Sequence, residues 1–262
     1  MLSSIPTIVW VYNRVGKSGS SALHPLLSAW CHALEWHPQK TSSWRAFSRD
    51  SAALAQRSDG LHGMIARLRA ANTSQPCRVL WGHFAWTPPP DDRVRYINMV
   101  RDPVTRWLSL RNYFATFTEP HLRSPLDGPA CLRRFAEHGN ASRACVGGAR
   151  DAHMADYFYP SEGELQRCDV ALVLDKRYSF VAALERQRTD VPRLLEHMGV
   201  GERRAHAWST RGLPRANPTP LSAHAMHGLD AAEREILTAE LRCDLSLYGG
   251  VLARAEVGLT QI

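Results

Sequence analysis

No apolar run in the 262 residues approaches the ~20 needed to cross a bilayer, so the sequence offers no transmembrane helix. The opening Met1-Leu2-Ser3-Ser4-Ile5-Pro6 has neither the basic start nor the apolar middle of a secretory signal and runs directly into a strand-like segment. Internal repeats are absent and low complexity is slight, which excludes solenoid and disordered-array architectures. The six cysteines, Cys31, Cys77, Cys131, Cys145, Cys168 and Cys243, form no C-x-x-C pair and no zinc-ligand spacing. There is also no basic low-complexity arm and no RNA-binding aromatic signature. Nucleic acid is therefore not the expected partner, and no metal site is expected.

Two compositional features remain. Apolar residues make up 44% of the chain, enough for one α/β domain spanning 1–262 with a substantial core. Lys and Arg outnumber Asp and Glu by 32 to 25, giving a net charge of +7 that favours anionic partners.

The most informative segment follows the β-branched run Thr7-Ile8-Val9-Trp10-Val11. It reads Tyr12-Asn13-Arg14-Val15-Gly16-Lys17-Ser18-Gly19-Ser20-Ser21, and Ala22, Leu23, Leu26, Leu27 and Trp30 then recur at helical spacing. A glycine-rich turn from strand to helix directs backbone N–H groups outward at the positive end of a helix dipole, where a phosphate or phosphosulfate can accept them. Lys17 adds a cation and Ser18 a hydroxyl. Gly16-Lys17-Ser18 also fits the end of the nucleotide-binding pattern G-x-x-x-x-G-K-[ST], but Val11 stands where its first glycine belongs.

A second segment, Arg95-Tyr96-Ile97-Asn98-Met99-Val100-Arg101-Asp102-Pro103, is a strand entering a turn. Trp107, Leu108, Leu110 and Phe114 then have helix-compatible spacing. Arg101 offers planar paired donors to a phosphate, and Ser109 adds a hydroxyl on the following helix. The plain alternative is a local Arg101-Asp102 ion pair with Pro103 opening a helix. Between the two segments, Gly82-His83-Phe84 closes the apolar run Val79-Leu80-Trp81, placing His83 at a strand end where α/β sheets bind ligands. Its imidazole can accept a proton near neutral pH, although a lone histidine is often structural.

These three segments, in this order, closely resemble the 2-O-sulfotransferases that modify uronic acids of glycosaminoglycans such as heparan sulfate. The likeness is strongest over residues 8–21 and 80–114, including Tyr12 to Lys17 and the Tyr-Ile-Asn-x-Val-Arg-Asp-Pro run with Arg106, Leu108 and Ser109 downstream. The resemblance implies a P-loop-like α/β fold with a central parallel sheet between helices. It also implies 3′-phosphoadenosine 5′-phosphosulfate as donor and an acidic polysaccharide as acceptor, without a metal. On this reading Arg14, Gly16, Lys17, Ser18, Gly19, Ser20 and Ser21 hold the 5′-phosphosulfate. Arg101 and Ser109 hold the 3′-phosphate, His83 is the catalytic base, and Lys17 stabilises the leaving group. Arg14 either faces the acceptor or locks the turn. Some members carry another histidine two residues before this one, where this chain has Trp81.

The family further implies a Golgi-lumenal, membrane-anchored enzyme, or a soluble one if the chain is complete, with trimers among its members. A Cys131–Cys145 bridge is implied by the family's disulfides in this region; free buried thiols are the alternative. Asn72-Thr73-Ser74 and Asn140-Ala141-Ser142 are formal glycosylation acceptors.

Elsewhere the pattern predicts a loop over 35–49, a helix over 51–71 broken near Gly60, and irregular chain over Trp86–Asp92 and from Phe117 to Gly148. It predicts a strand over Val170–Asp175 and two short helices over 180–198 separated by Pro192. A basic loop follows over 203–220, in which Arg211 or Arg215 faces the nucleotide, and a helix over 229–255 closes the chain. An apolar run ending in Asp175 also suits a magnesium-holding aspartate, which makes an ATP-dependent P-loop kinase or nucleotidase the rival enzyme. A polysaccharide-binding relative that has lost catalysis is the rival outside enzymes.

Overall fold

The computed structural model describes residues 8–36, 51–117, 153–201 and 231–257. Strand β1 (Val9–Asn13) leads through a turn to helix α1 (Ser20–Trp30), β2 (Cys31–Glu35), α2 (Ser51–Ala70) and β3 (Cys77–Gly82). Next come β4 (Val94–Val100), α3 (Pro103–Phe117), a 3₁₀ turn (Met154–Tyr157) and α4 (Glu162–Arg167). A π-helical turn (Leu172–Arg177), β5 (Tyr178–Ala183), α5 (Gln187–His197), α6 (Ala231–Glu240) and α7 (Arg242–Val257) complete the described chain.

The five strands lie in the order β2-β3-β1-β4-β5, and every pairing is parallel. A central strand of such a sheet is covered on both faces, and β1 alternates accordingly. Val9 and Val11 join a core with Leu61, Ile65 and Leu68 of α2 and Leu247 and Val251 of α7. Trp10 and Tyr12 join the opposite core with Leu23, Leu26 and Leu27 of α1 and Val191, Leu194 and Leu195 of α5. Truncating a side chain as buried as Trp10, 3% exposed, costs about 3–5 kcal/mol. A smaller cluster seats Trp107 and Leu108 of α3 against Leu237 and Leu241. The expected parallel sheet between helices is thus observed, and all strands point their carboxyl ends to one edge.

Several local expectations give way. Helix α2 runs unbroken through Gly60, where the Trp36 indole packs 3.1 Å from the position a Cβ would take. The short strand β2 follows α1 directly, ahead of the expected loop. Residues 170–175 are helical rather than extended: the Asp169 carboxylate accepts the Leu172 N–H at 2.9 Å and caps the turn. Val173 and Leu174 are buried while Ala171 and Asp175 are exposed, a helical pattern hidden in an apolar run that suits either structure. The strand comes next, at 178–183, and a single helix α5 contains Pro192 within it. The C-terminal helix is divided into α6 and α7 at Leu241.

Four cysteines for which the sequence offered no pairing form two disulfides. Cys31–Cys77 joins the first residues of β2 and β3, which are register partners, with Cα atoms 4.6 Å apart. Cys168–Cys243 joins the end of α4 to α7 with Cα atoms 5.4 Å apart. Cys131, Cys145, Asn140, the wall to 148 and the basic loop with Arg211 and Arg215 lie outside the described residues.

Candidate active site

The carboxyl edge of the sheet gathers the expected residues around the end of β1. There Asn13, fully buried, donates from Nδ2 to the Tyr157 carbonyl at 2.9 Å and to the Tyr178 hydroxyl at 2.7 Å. Asn98 of β4 donates from its own Nδ2 to the Asn13 backbone carbonyl at 2.9 Å and to Asn13 Oδ1 at 2.8 Å. This buried amide pair fixes the height at which β1 releases the chain into its turn.

The turn reverses through left-handed backbone at Lys17, φ 61°, and Gly19, φ 74°, and α1 begins at Ser20 without a side-chain cap. A Cβ on Gly19 would lie 2.5 Å from Leu184 Cδ1 and 3.2 Å from Met99 Sδ, so a side chain there would add crowding of those side chains to an unfavourable backbone angle. Lys17 holds the same backbone region with a side chain, a strain of about 1–3 kcal/mol that characteristically occurs at functional turns.

Two arginines, Arg101 between β4 and α3 and Arg106 in the first turn of α3, grip this turn. Arg106, only 1% exposed, donates from Nε to the Gly16 carbonyl at 2.8 Å. Arg101 donates from Nη1 to the Lys17 carbonyl at 3.3 Å. Asp102 meanwhile caps α3, accepting from Thr105 N at 2.8 Å and Thr105 Oγ1 at 2.6 Å. Pro103 opens α3 as the structural alternative had it, while the hydrogen bond of the Arg101 guanidinium goes to the Lys17 carbonyl. Glu185 supports this corner by accepting the Asp102 N–H and the Tyr248 hydroxyl, each at 3.1 Å. Ser109, buried, lies one turn beyond Arg106 on the same face of α3.

Burial lowers the Lys17 pKa below the ordinary lysine value, and the neighbouring Arg101 charge lowers it further. Burial also lowers that of Arg101, with Glu185 and Asp102 opposing and Arg106 adding to the effect. Cations held this close, beside the uncapped N-terminus of an 11-residue helix, make a site that an anion relieves. Ser18 provides an independent sign. Its Oγ is fully buried and has no hydrogen-bond partner among the described residues, a deficit worth about 1–3 kcal/mol that a phosphate or sulfate oxygen would remove. Ser20 and Ser21 contribute their backbone to the first turn of α1; their side chains lie outside the described set.

His83 follows β3 on the other flank of β1. Gly82 pairs with Asn13, and its carbonyl accepts the Arg14 N–H at 2.7 Å. A Cβ at Gly82 would collide with the Trp36 carbonyl, so the Gly-His order is sterically enforced. The half-buried His83 ring meets Tyr157 edge-on, with centroids 6.4 Å apart. Arg14 directs its guanidinium over the Trp81 ring, 4.9 Å from the centroid. The His24 ring lies tilted against the same indole, centroids 3.6 Å apart, its pKa lowered by burial and by Arg14 while Glu35 opposes. Strand order thus sets His83 and Arg101 on opposite sides of β1, with the Lys17 turn between them.

Sequence reasoning missed Asn13 and Asn98 as a pair and gave Arg106 no role; an asparagine inside an apolar strand such as Val94–Val100 was the available signal. Asp175 is corrected: it lies in the helical turn preceding β5, at the amino edge, and pairs with Arg254. Among the described residues, no group of three or more His, Cys, Asp or Glu side chains is placed to hold a metal ion, and no helix is long and apolar enough to cross a membrane. A cavity of about 170 Å³ opens beside β5 between Phe180, Arg193 and Arg254, apart from these residues.

No protein-family model and no curated protein sequence matches the chain. Solved structures similar to it include mouse sulfotransferase SULT7A1 complexed with PAP, at 11% identity and a TM-score of 0.49, covering 90% of this chain and 85% of that one. Retinol dehydratase in complex with androsterone and inactive cofactor PAP is similar at 13% identity and a TM-score of 0.47, covering 92% of this chain and 81% of that one.

Proposed function

We propose that this chain is a sulfotransferase. Its donor is 3′-phosphoadenosine 5′-phosphosulfate and its acceptor a hydroxyl of a uronic-acid-containing polysaccharide. The observation that carries the reading is the convergence of Lys17, Arg101 and Arg106 on the turn that opens α1, with the orphaned Ser18 hydroxyl in the same turn. The motif order shared with the glycosaminoglycan 2-O-sulfotransferases supports the choice of donor and acceptor.

In this reading, backbone donors of residues 16–21 with Lys17 and Ser18 bind the 5′-phosphosulfate, and Arg101 with Ser109 binds the 3′-phosphate. His83 takes the proton of the acceptor hydroxyl as that oxygen bonds to sulfur. The bond from sulfur to the bridging phosphate oxygen breaks, its electron pair leaves with adenosine 3′,5′-bisphosphate, and Lys17 stabilises the charge that collects there. The place of Asp175 removes the carboxylate on which the kinase reading relied.

The test is sulfate transfer from labelled donor to a panel of uronic-acid polysaccharides, with the His83→Ala variant alongside. Transfer by the parent and none by the variant, with adenosine 3′,5′-bisphosphate binding retained in both, is the expected result. Equal turnover would remove His83 from the mechanism. Binding of donor product and polysaccharide without any transfer would identify a binding relative instead.

A further inference from the structure

We propose that Asp244, on α7, is a positioning residue for the His83 flank of the site; the proposal rests on the sulfotransferase reading in taking His83 as the base. Asp244 is 1% exposed and accepts two backbone N–H groups, that of Met154 at Oδ2, 2.7 Å, and that of Ala155 at Oδ1, 2.8 Å. Both belong to the opening of the Met154–Tyr157 turn, whose first N–H groups have no acceptor of their own. A carboxylate brought from a distant helix therefore does the work of a cap, through charge-assisted bonds about twice as strong as neutral ones.

The turn held in this way reaches the base directly. The Tyr157 carbonyl accepts Asn13 Nδ2 at the end of β1 and also the Trp86 N–H at 2.8 Å. The segment carrying His83 is thus pinned at two points, through the Gly82 carbonyl on Arg14 N and through Trp86 N on Tyr157. The second pin depends on the turn that Asp244 holds, and the Tyr157 ring lies against the imidazole. Beside Asp244, the Cys168–Cys243 bridge ties the start of α7 to the end of α4, so the carboxylate is presented from a fixed base. This chain of contacts meets the end of β1 at Asn13, which Tyr178 and Asn98 also hold, and none of the bonds named in it is to Lys17, Arg101 or Arg106.

The test compares Asp244→Asn with the parent, since the amide keeps the shape and one acceptor. The expected variant binds adenosine 3′,5′-bisphosphate within about twofold of the parent but turns over about 100-fold more slowly, as displacement of a reacting group by an ångström produces. In the His83→Ala background the same change adds little, because both act through one group. Amide hydrogen exchange in residues 83–86 and 154–157 rises in the Asn variant while residues 16–19 stay as protected as before. Unchanged turnover, or a loss that adds in full to that of His83→Ala, overturns the proposal. So does exchange that rises equally at 16–19, which marks a general loss of structure. A parent without transfer activity overturns the sulfotransferase reading instead, and the exchange pattern then still decides whether Asp244 holds this flank.

Discussion

The two flanks of β1 are built on different chemistry. On the β4 side, guanidinium groups reach the Gly16 and Lys17 carbonyls of a single turn, and every participant belongs to one of two short contiguous segments. On the β3 side, the bonds that pin the His83 segment at Gly82 and Trp86 are between neutral backbone groups, with an aromatic edge beside the ring; the charged groups of this flank stand further off, Arg14 over Trp81 and Asp244 behind residues 154–155. The charged flank is suited to gripping an anion. Binding and proton transfer should therefore separate under mutation.

The largest expected effect comes from the neutral flank. His83→Ala should lower kcat by about 10²–10⁴-fold and leave adenosine 3′,5′-bisphosphate affinity unchanged, read by steady-state kinetics beside calorimetry. A matching fall in affinity would erase the distinction between the flanks.

Next is Arg106→Ala on the charged flank. It empties a fully buried site and strands the Gly16 carbonyl, so denaturant unfolding should show a loss of about 3–4 kcal/mol together with weakened donor-product binding. A stability change below about 1 kcal/mol would show that the turn holds itself without this clamp.

Lys17→Met sharpens the comparison through pH. The folded-state pKa of Lys17 is lowered, so the unfolded chain binds this proton more tightly and the charged form opposes folding at neutral pH. That opposition fades as pH rises through the lowered pKa towards 10.5. Lys17→Met should accordingly melt at a higher temperature than the parent at pH 7, with the gap closing by pH 10.5. Its donor-product binding should be weaker, because the cation is gone. In the parent, affinity should fall as pH rises through the same window. A variant that melts lower at pH 7 would contradict the electrostatic account of the turn.

The smallest effect sets a baseline outside both flanks. Arg69 and Asp91 form a bidentate surface pair at 2.7 Å, and this hydrogen-bonded partner lowers the Asp91 pKa to about 2. The stability it adds is present above the ordinary carboxylate pKa and is lost as pH falls towards about 2. Arg69→Ala should cost only about 0.2–1 kcal/mol and leave turnover unaltered. An equal loss of activity there would show that the assays report folding rather than the site.

The contrast between the flanks also explains what was legible in the sequence. The charged flank could be read because strand, turn and helix follow one another at Val9–Trp30 and again at Val94–Phe117, so spacing carries the geometry. The neutral flank could be read only at Gly82-His83. Asn13 meets Tyr157 across 144 residues and Met154 meets Asp244 across 90, and no local periodicity encodes such pairings. The disulfides were hidden for the same reason, since six cysteines allow 15 connectivities and only the register of β2 on β3 brings Cys31 to Cys77. Residues 170–175 failed differently: a short apolar run fits strand and helix alike, and the Asp169 cap decided it.

The central claim is that the charged flank grips the 3′-phosphate of the donor while the neutral flank takes no part in binding it. Calorimetric titration of adenosine 3′,5′-bisphosphate into the parent, Arg101→Ala and His83→Ala tests it most directly. The account predicts tight binding by the parent and by His83→Ala, with about 10–100-fold weaker binding by Arg101→Ala, the worth of a charged hydrogen bond. Equal affinity in the parent and Arg101→Ala would contradict it.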